Sequence, residues 1–118
     1  MKSKTTGTVL TSGQCAAVLK AIGDETRLQI LEYLLINDHC VTELMLKLSC
    51  AQPHVSHHLR ILRHAGLVEG IREGKRVCYR ITPGMKRALA NGQGQSLDFG
   101  CCEVRFPAST LSNLQRGK

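Results

Sequence analysis

The stretch AQPHVSHHLRILRHAGLV, residues 51–68, and the stretch EGIREGKRVCYRIT that follows it, residues 69–82, decide the fold. The first predicts a helix over residues 52–64, because its apolar residues recur at helical spacing. They are Val55, Leu59 and Leu62. Gly66 suits the end of that helix. The second stretch predicts two short strands with a turn at Gly74. A helix followed by a β-hairpin is therefore the centre of this fold.

The residues upstream supply the helices that complete the motif. DETRLQIL, residues 24–31, begins a helix for which Asp24 is a suitable N-cap. A shorter helix is predicted before it, over residues 13–22, and another after it, over residues 43–48. Only residues 49–51 separate that last helix from the long one. Two helices joined by so short a turn are typical of a helix-turn-helix, and a hairpin directly after it is a wing.

We expect one domain from 118 residues. Residues 1–12 are predicted to be a disordered N-terminal arm, and residues 107–118 a flexible tail. Between them, residues 13–106 are predicted to form a winged helix-turn-helix domain with a further C-terminal segment. The fold class is mainly α with a β-hairpin wing. Apolar residues at both ends predict a homodimer. They are Val18, Leu19, Ile22 and Phe106.

Charge points to nucleic acid. The net charge is +7, and residues 60–87 carry eight basic residues against two acidic ones. A basic face on a small domain is typical of a protein that binds the phosphate backbone. Aromatic residues make up only 3% of the chain, which disfavours a base-stacking platform for single strands.

Six cysteines require an explanation of their own. No apolar run has the roughly 20 residues of a membrane helix, and the first 13 residues lack the apolar centre of a signal peptide. We therefore expect a cytoplasmic protein. In a reducing compartment, cysteines serve metal binding or redox chemistry more often than a structural disulfide framework.

Three stretches together carry a family resemblance. DETRLQIL, AQPHVSHHLRILRHAGLV and REGKRVCYRI resemble the ArsR/SmtB winged-helix repressors, and the likeness covers residues 19–82. It implies a homodimer on double-stranded operator DNA, with the long helix in the major groove and the wing on the backbone. It also implies repression that an effector releases. One departure is Ala51, where the family usually has a serine N-cap.

The resemblance also implies which residues face DNA. From the long helix, the expected contacts are Gln52, His54, Ser56, His57 and Arg60. From the wing, they are Arg72, Lys75 and Arg76. Glutamine can read adenine, and the basic wing residues can reach phosphate or the minor groove. His58 is expected to pack against the preceding helix.

Two metal sites of the family are incomplete here. One needs histidines on a C-terminal helix, and no histidine follows His64. The other uses a Cys-Val-Cys run, which here reads Cys40-Val41-Thr42. Cys50 and Cys78 are interpreted as packing residues. We expect no metal and no cofactor.

The adjacent pair Cys101-Cys102 remains, and two mechanisms compete for it. In the favoured one, hydrogen peroxide oxidises one thiolate and the neighbour closes a vicinal disulfide that releases DNA. Gly100, Arg105 and Cys15 are possible supports, and the Gly-Cys-Cys run resembles that of a peroxide-sensing cyanobacterial repressor of the family. In the alternative, Cys101 and Cys102 bind arsenite, antimonite or another soft metal ion, with Cys15 or Cys40 as the third ligand.

A small thiol enzyme is a third and weaker interpretation. No C-x-x-C motif is present, and no βαβ unit is available to carry one. We therefore do not expect an enzyme.

Overall fold

The computed structural model describes residues 10–116. Its helices are α1 Ser12–Ile22, α2 Glu25–Ile36, α3 Val41–Leu48, α4 Gln52–His64 and α5 Ala108–Arg116. Its strands are β1 His39–Cys40, β2 Val68–Glu73, β3 Arg76–Ile81, β4 Lys86–Ala88, β5 Gly94–Asp98 and β6 Glu103–Pro107. A short 3₁₀ turn, Ala90–Gly92, lies between β4 and β5.

Capping residues set where the first helices begin. The Thr11 hydroxyl accepts a hydrogen bond from the Gln14 N–H, and the Gln14 side chain accepts one from Thr11. The Asp24 carboxylate accepts the N–H of Arg27, as the sequence predicted. Ala51 offers α4 no side-chain cap, so that helix begins without one.

The aliphatic core confirms the predicted apolar stripes. Val55, Leu59 and Leu62 of α4 are fully or almost fully buried, and they pack against the leucines of α2. With α3 and the hairpin of β2 and β3, which we call the wing, these helices form the predicted winged helix-turn-helix. No helix of the described part is long and apolar enough to cross a membrane.

The wing belongs to a three-stranded antiparallel sheet with the order β1-β3-β2. The short strand β1, residues 39–40, was not predicted from the sequence. It places Cys40 directly opposite Cys78 of β3. Alternation along β3 predicts Val77, Tyr79 and Ile81 on the inward face and Cys78 on the other. Ile81 is buried at 3% exposure, but Cys78 is buried as well, at 4%, and Val77 and Tyr79 are only partly buried. Both faces of β3 therefore carry a buried residue, and strand alternation alone does not show this.

The C-terminal region is more ordered than the sequence indicated. Strand β4 joins β5 and β6 in a second antiparallel sheet. We call it the C-terminal sheet. Gly94 begins β5 with φ of 128°. A Cβ there would overlap the Phe106 carbonyl, so this close strand approach requires glycine.

The two predicted chain ends also need correction. The tail predicted over residues 107–118 contains helix α5, which packs on α2 and on the C-terminal sheet. Leu111 anchors it at 7% exposure. At the other end, the arm predicted over residues 1–12 is helical from Ser12 onward, because Thr11 caps α1. The remainder of that arm, residues 1–9, lies outside the described residues.

Candidate DNA-binding face and cysteine sites

Burial of one side of α4 fixes which side faces solvent. Because Val55, Leu59 and Leu62 point into the core, the polar residues between them point outward. Four of the five expected contacts on this helix are exposed, and Ser56 is partly exposed. The exposed four are Gln52, His54, His57 and Arg60. The structure thus brings these side chains together on one helix face.

The wing adds its own basic residues to this surface. Arg72, Lys75 and Arg76 are all exposed, and Gly74 makes the turn between them with φ of 65°. Arg80 is engaged by Glu69 at 2.7 Å within the sheet. We define the DNA-binding face as the eight residues expected to contact DNA, five on α4 and three on the wing. Within it, Gln52, Lys75 and Arg76 line one cavity of about 230 Å³.

Arg27 holds α4 from behind, a role that the sequence interpretation missed. Its guanidinium donates to the Ala21 carbonyl at 2.6 Å and lies 3.1 Å from Nδ1 of His58. It therefore joins the end of α1 to α4. Desolvation lowers the pKa of His58, and the charge of Arg27 acts in the same direction, while Asp24 opposes them. The neutral imidazole can accept the arginine N–H. In the sequence, the position of Arg27 in the first turn after the Asp24 cap could have indicated this contact.

The pairing at the C-terminal cysteines differs from the one expected. Cys101 forms a disulfide with Cys15 of α1, with a Cα–Cα distance of 6.0 Å, and Cys102 is a free thiol. That distance lies within the usual range for disulfides, whereas a bond between adjacent residues would close a small ring through the peptide bond that joins them. A Cys101–Cys102 bond would need a distorted backbone, and the Cys15–Cys101 bond does not.

The residues expected to support the pair are placed unequally. Gly100 lies in the tip between β5 and β6 with φ of 94°, and its N–H donates to the Asp98 carboxylate at 2.9 Å. Arg105 is 70% exposed on β6 and pairs with Glu103 at 3.7 Å. Its guanidinium is therefore already engaged by a carboxylate. Cys15, by contrast, is in direct covalent contact with the pair.

A second group of cysteines lies beneath the DNA-binding face. The sulfurs of Cys40 and Cys78 are bonded, and Glu73 offers a carboxylate oxygen beside them. These are the three donor atoms in the described residues that all lie within 4.8 Å of one another. The Arg76 guanidinium, 2.9 Å from Sγ of Cys40, disfavours a cation there and favours a thiolate.

The soft-metal alternative needs Cys101 and Cys102 around one ion, with Cys15 or Cys40 as the third ligand. Among the residues that the structure describes, neither set of three sulfurs lies within 4.8 Å of one another. The arrangement favours a disulfide over a three-thiolate site.

Comparison with known proteins agrees with this fold. The family model described as bacterial regulatory protein, arsR family, matches residues 24–70. The arsenical resistance operon repressor of Escherichia coli is 40% identical over 67 residues, which are 56% of this chain and 57% of that protein. The chain thus spans little more than half of that relative.

Solved structures extend the similarity. HlyU from Vibrio cholerae is 40% identical with a TM-score of 0.58, and the match covers 62% of this chain and 79% of that one. A homodimeric winged helix-turn-helix domain from Mycobacterium bovis is 37% identical with a TM-score of 0.58, covering 59% and 65%. The matched family is described as bacterial regulatory proteins, and the Escherichia coli relative as an operon repressor. The chain therefore belongs to the arsR family of bacterial regulatory proteins and is a DNA-binding transcriptional regulator.

Proposed function

We propose that this protein is a homodimeric repressor that binds operator DNA when reduced and releases it when hydrogen peroxide oxidises Cys15 and Cys101. The disulfide between these residues is the observation that carries the proposal. It replaces the Cys101–Cys102 pairing that the sequence favoured. Cys102 becomes the neighbouring thiol that can exchange with the bond.

DNA binding is assigned to the DNA-binding face. α4 presents Gln52 and its neighbours for base edges in the major groove, and the wing presents basic residues for phosphate. The exposure of these side chains and the net charge of +7 support the assignment.

Homodimerisation would pair two such faces across two half-sites. The homodimeric Mycobacterium bovis domain supports it, as does the exposure of Leu19 on α1, which is 50%. Val18, Ile22 and Phe106, also expected at the dimer contact, are already buried within one protomer.

The redox step consumes one peroxide. One thiolate of the pair attacks a peroxide oxygen and becomes a sulfenic acid, and the second thiol then displaces its oxygen as water. Two thiols and one H₂O₂ thus give one disulfide and two waters. Cys15 is partly exposed and Cys101 exposed, so peroxide can reach them.

The disulfide can act on DNA binding through α1. It ties α1 to the tip of the β5–β6 hairpin, while α1 also packs against α2 and α4. A change at α1 can therefore reach α4 through these packing contacts. In a dimer, a small change in the spacing of the two α4 helices reduces the match to half-sites about one DNA turn apart.

The test uses a duplex enriched from a random-sequence library with reduced protein. We expect peroxide to weaken binding of that duplex by about tenfold or more, which corresponds to about 1.4 kcal/mol. Peptide mapping should identify a Cys15–Cys101 link, and reductant should restore binding. A peroxide-treated protein that keeps full affinity contradicts the proposal.

Single variants separate the two pairings. Cys15→Ser should bind the duplex and lose the reversible release, whereas Cys102→Ser should keep it. A vicinal switch predicts the opposite result for both. Cys50→Ser is the matched control, because Cys50 is a free cysteine on another part of the molecule.

A further inference from the structure

We propose that Cys40 and Cys78 form a second redox couple, which lies beneath the DNA-binding face and is shielded by bound DNA. This couple is separate from Cys15 and Cys101 and joins β1 to the wing. The register places the two cysteines directly opposite each other, and their sulfurs are bonded in this structure.

The two sulfurs differ in their nearest charged group. Arg76 lies 2.9 Å from Sγ of Cys40, whereas Glu73 Oε1 lies 3.7 Å from Sγ of Cys78. In the reduced protein the guanidinium favours a Cys40 thiolate, and the carboxylate can accept the Cys78 proton. This asymmetry assigns Cys40 as the attacking thiolate and Cys78 as the resolving thiol.

The reaction follows from those assignments. The Cys40 thiolate attacks a peroxide oxygen, breaks the O–O bond and becomes a sulfenic acid, and the hydroxide that leaves takes up a proton as water. Cys78 then gives its proton to Glu73 and attacks the Cys40 sulfur. The sulfenic oxygen leaves as a second water, with the proton from Glu73. One peroxide is reduced and two thiols are oxidised.

Access comes from the cavity of about 230 Å³ described above. Both cysteines are only 4% exposed, but Cys40 lines this cavity together with Gln52, Lys75 and Arg76. The last three belong to the DNA-binding face. A small oxidant such as peroxide can therefore reach Cys40 from the same side on which DNA would lie.

Bound DNA should protect the couple for two reasons, a step that rests on the proposed DNA-binding face. The duplex would cover the cavity, and a phosphate would compete with Cys40 for Arg76. Arg76 has one further anionic partner, Glu43 at 3.7 Å, and its side chain is 58% exposed, so it can turn toward phosphate. Oxidation of the couple should then occur in protein that has left DNA.

The experiment uses the full chain with Cys15, Cys101 and Cys102 all changed to serine. This variant keeps Cys40, Cys78 and the free Cys50, which serves as an internal control. We expect one equivalent of peroxide to remove two of three thiols and to give a linked Cys40–Cys78 peptide pair. Retention of all three thiols, or a link through Cys50, overturns the couple.

A saturating mixed-sequence duplex at low salt should slow this thiol loss by about tenfold, within the usual range of coupling between sites. Equal rates of thiol loss with and without duplex would show that bound DNA does not protect Cys40 and Cys78. Fluorescence anisotropy of the labelled duplex shows separately whether the complex forms, so failure of DNA binding is not mistaken for failure of protection. Because this variant lacks Cys15 and Cys101, a disulfide between these two residues cannot affect the result.

Glu73→Gln tests the asymmetry. With no carboxylate to accept the Cys78 proton, the second step should slow by about tenfold or more, and a sulfenic acid on Cys40 should become trappable by dimedone. Unchanged closure overturns the role of Glu73. If the three-serine protein does not fold, differential thiol labelling and peptide mapping of the unaltered chain give the same readouts.

Discussion

Nη1 of Arg27 lies 3.1 Å from Nδ1 of His58, and this contact joins the start of α2 to the middle of α4. The same guanidinium reaches the carbonyls of Lys20 and Ala21 at the end of α1. Arg27 therefore positions α4 relative to α1 and α2. The contact requires a neutral imidazole, because a protonated Nδ1 cannot accept a hydrogen bond.

Stability should consequently depend on pH through His58. Its pKa is lowered in the folded protein by desolvation first and by Arg27, while the unfolded chain has the ordinary value of 6.5. Between these two values the unfolded state binds the extra proton. The contribution of neutral His58 is thus fully present above about pH 6.5 and is lost as pH falls toward the folded pKa.

Chemical denaturation between about pH 5 and 7.5 measures this dependence. His58→Gln should flatten the fall in unfolding free energy, because a glutamine oxygen can accept from Arg27 without titrating. His57→Gln, at an exposed neighbour, is the control and should leave the slope as it is. An unchanged slope in the His58 variant would contradict the assignment.

The part of the fold set by local pattern could be predicted from the sequence. Asp24 as a cap, the α4 stripe and the glycine turn of the wing each depend on residues within a few positions. The C-terminal sheet could not be predicted, because its strands have only three to five residues and show little alternation of apolar and polar residues. α5 was missed because two leucines, Leu111 and Leu114, stand in an otherwise polar segment.

The candidate sites divide in the same way. The outward residues of α4 follow from its period, and the structure places them as expected. The partner of Cys101 does not follow, since Cys15 lies 86 residues away and only packing brings it near. The burial of Cys78 does not follow from strand alternation, because both faces of β3 carry a buried residue.

The wing should contribute charge and not sequence preference. Changing Arg72, Lys75 and Arg76 together to alanine should lower the salt dependence of duplex binding. The slope of log affinity against log salt should fall by about two to three, because each lost phosphate contact removes about 0.9. Titrations at several salt concentrations, on enriched and on mixed-sequence duplexes, measure this.

Arg105→Ala is the matched control for the wing variant. This residue is 70% exposed but lies on the C-terminal sheet, away from the DNA-binding face. Its loss should leave the slope within experimental error. If the wing variant kept the salt dependence of the unaltered protein, the three wing residues would not belong to the DNA-binding face.

A missing cap on α4 can be restored. Ala51 precedes the helix in an extended conformation with φ of −72° and ψ of 155°, and it makes no side-chain cap. Ala51→Ser should therefore raise the unfolding free energy by about 1 kcal/mol, equivalent to about 4 °C in melting temperature. Thr11→Ala, which removes the existing cap of α1, should change stability by a similar amount in the opposite direction.

Stability also distinguishes the two pairings of Cys101. The Cys15–Cys101 bond joins residues 86 apart, so it removes much conformational freedom from the unfolded chain, whereas a bond between adjacent residues removes almost none. In oxidised protein, Cys15→Ser should therefore lower the unfolding free energy by about 2–4 kcal/mol relative to Cys102→Ser. Both variants keep Cys40 and Cys78, so the second couple contributes equally. Denaturant titrations of the two proteins, with disulfides checked by peptide mapping, measure the difference. Equal stabilities would contradict the long-range pairing and return the adjacent cysteines as the switch.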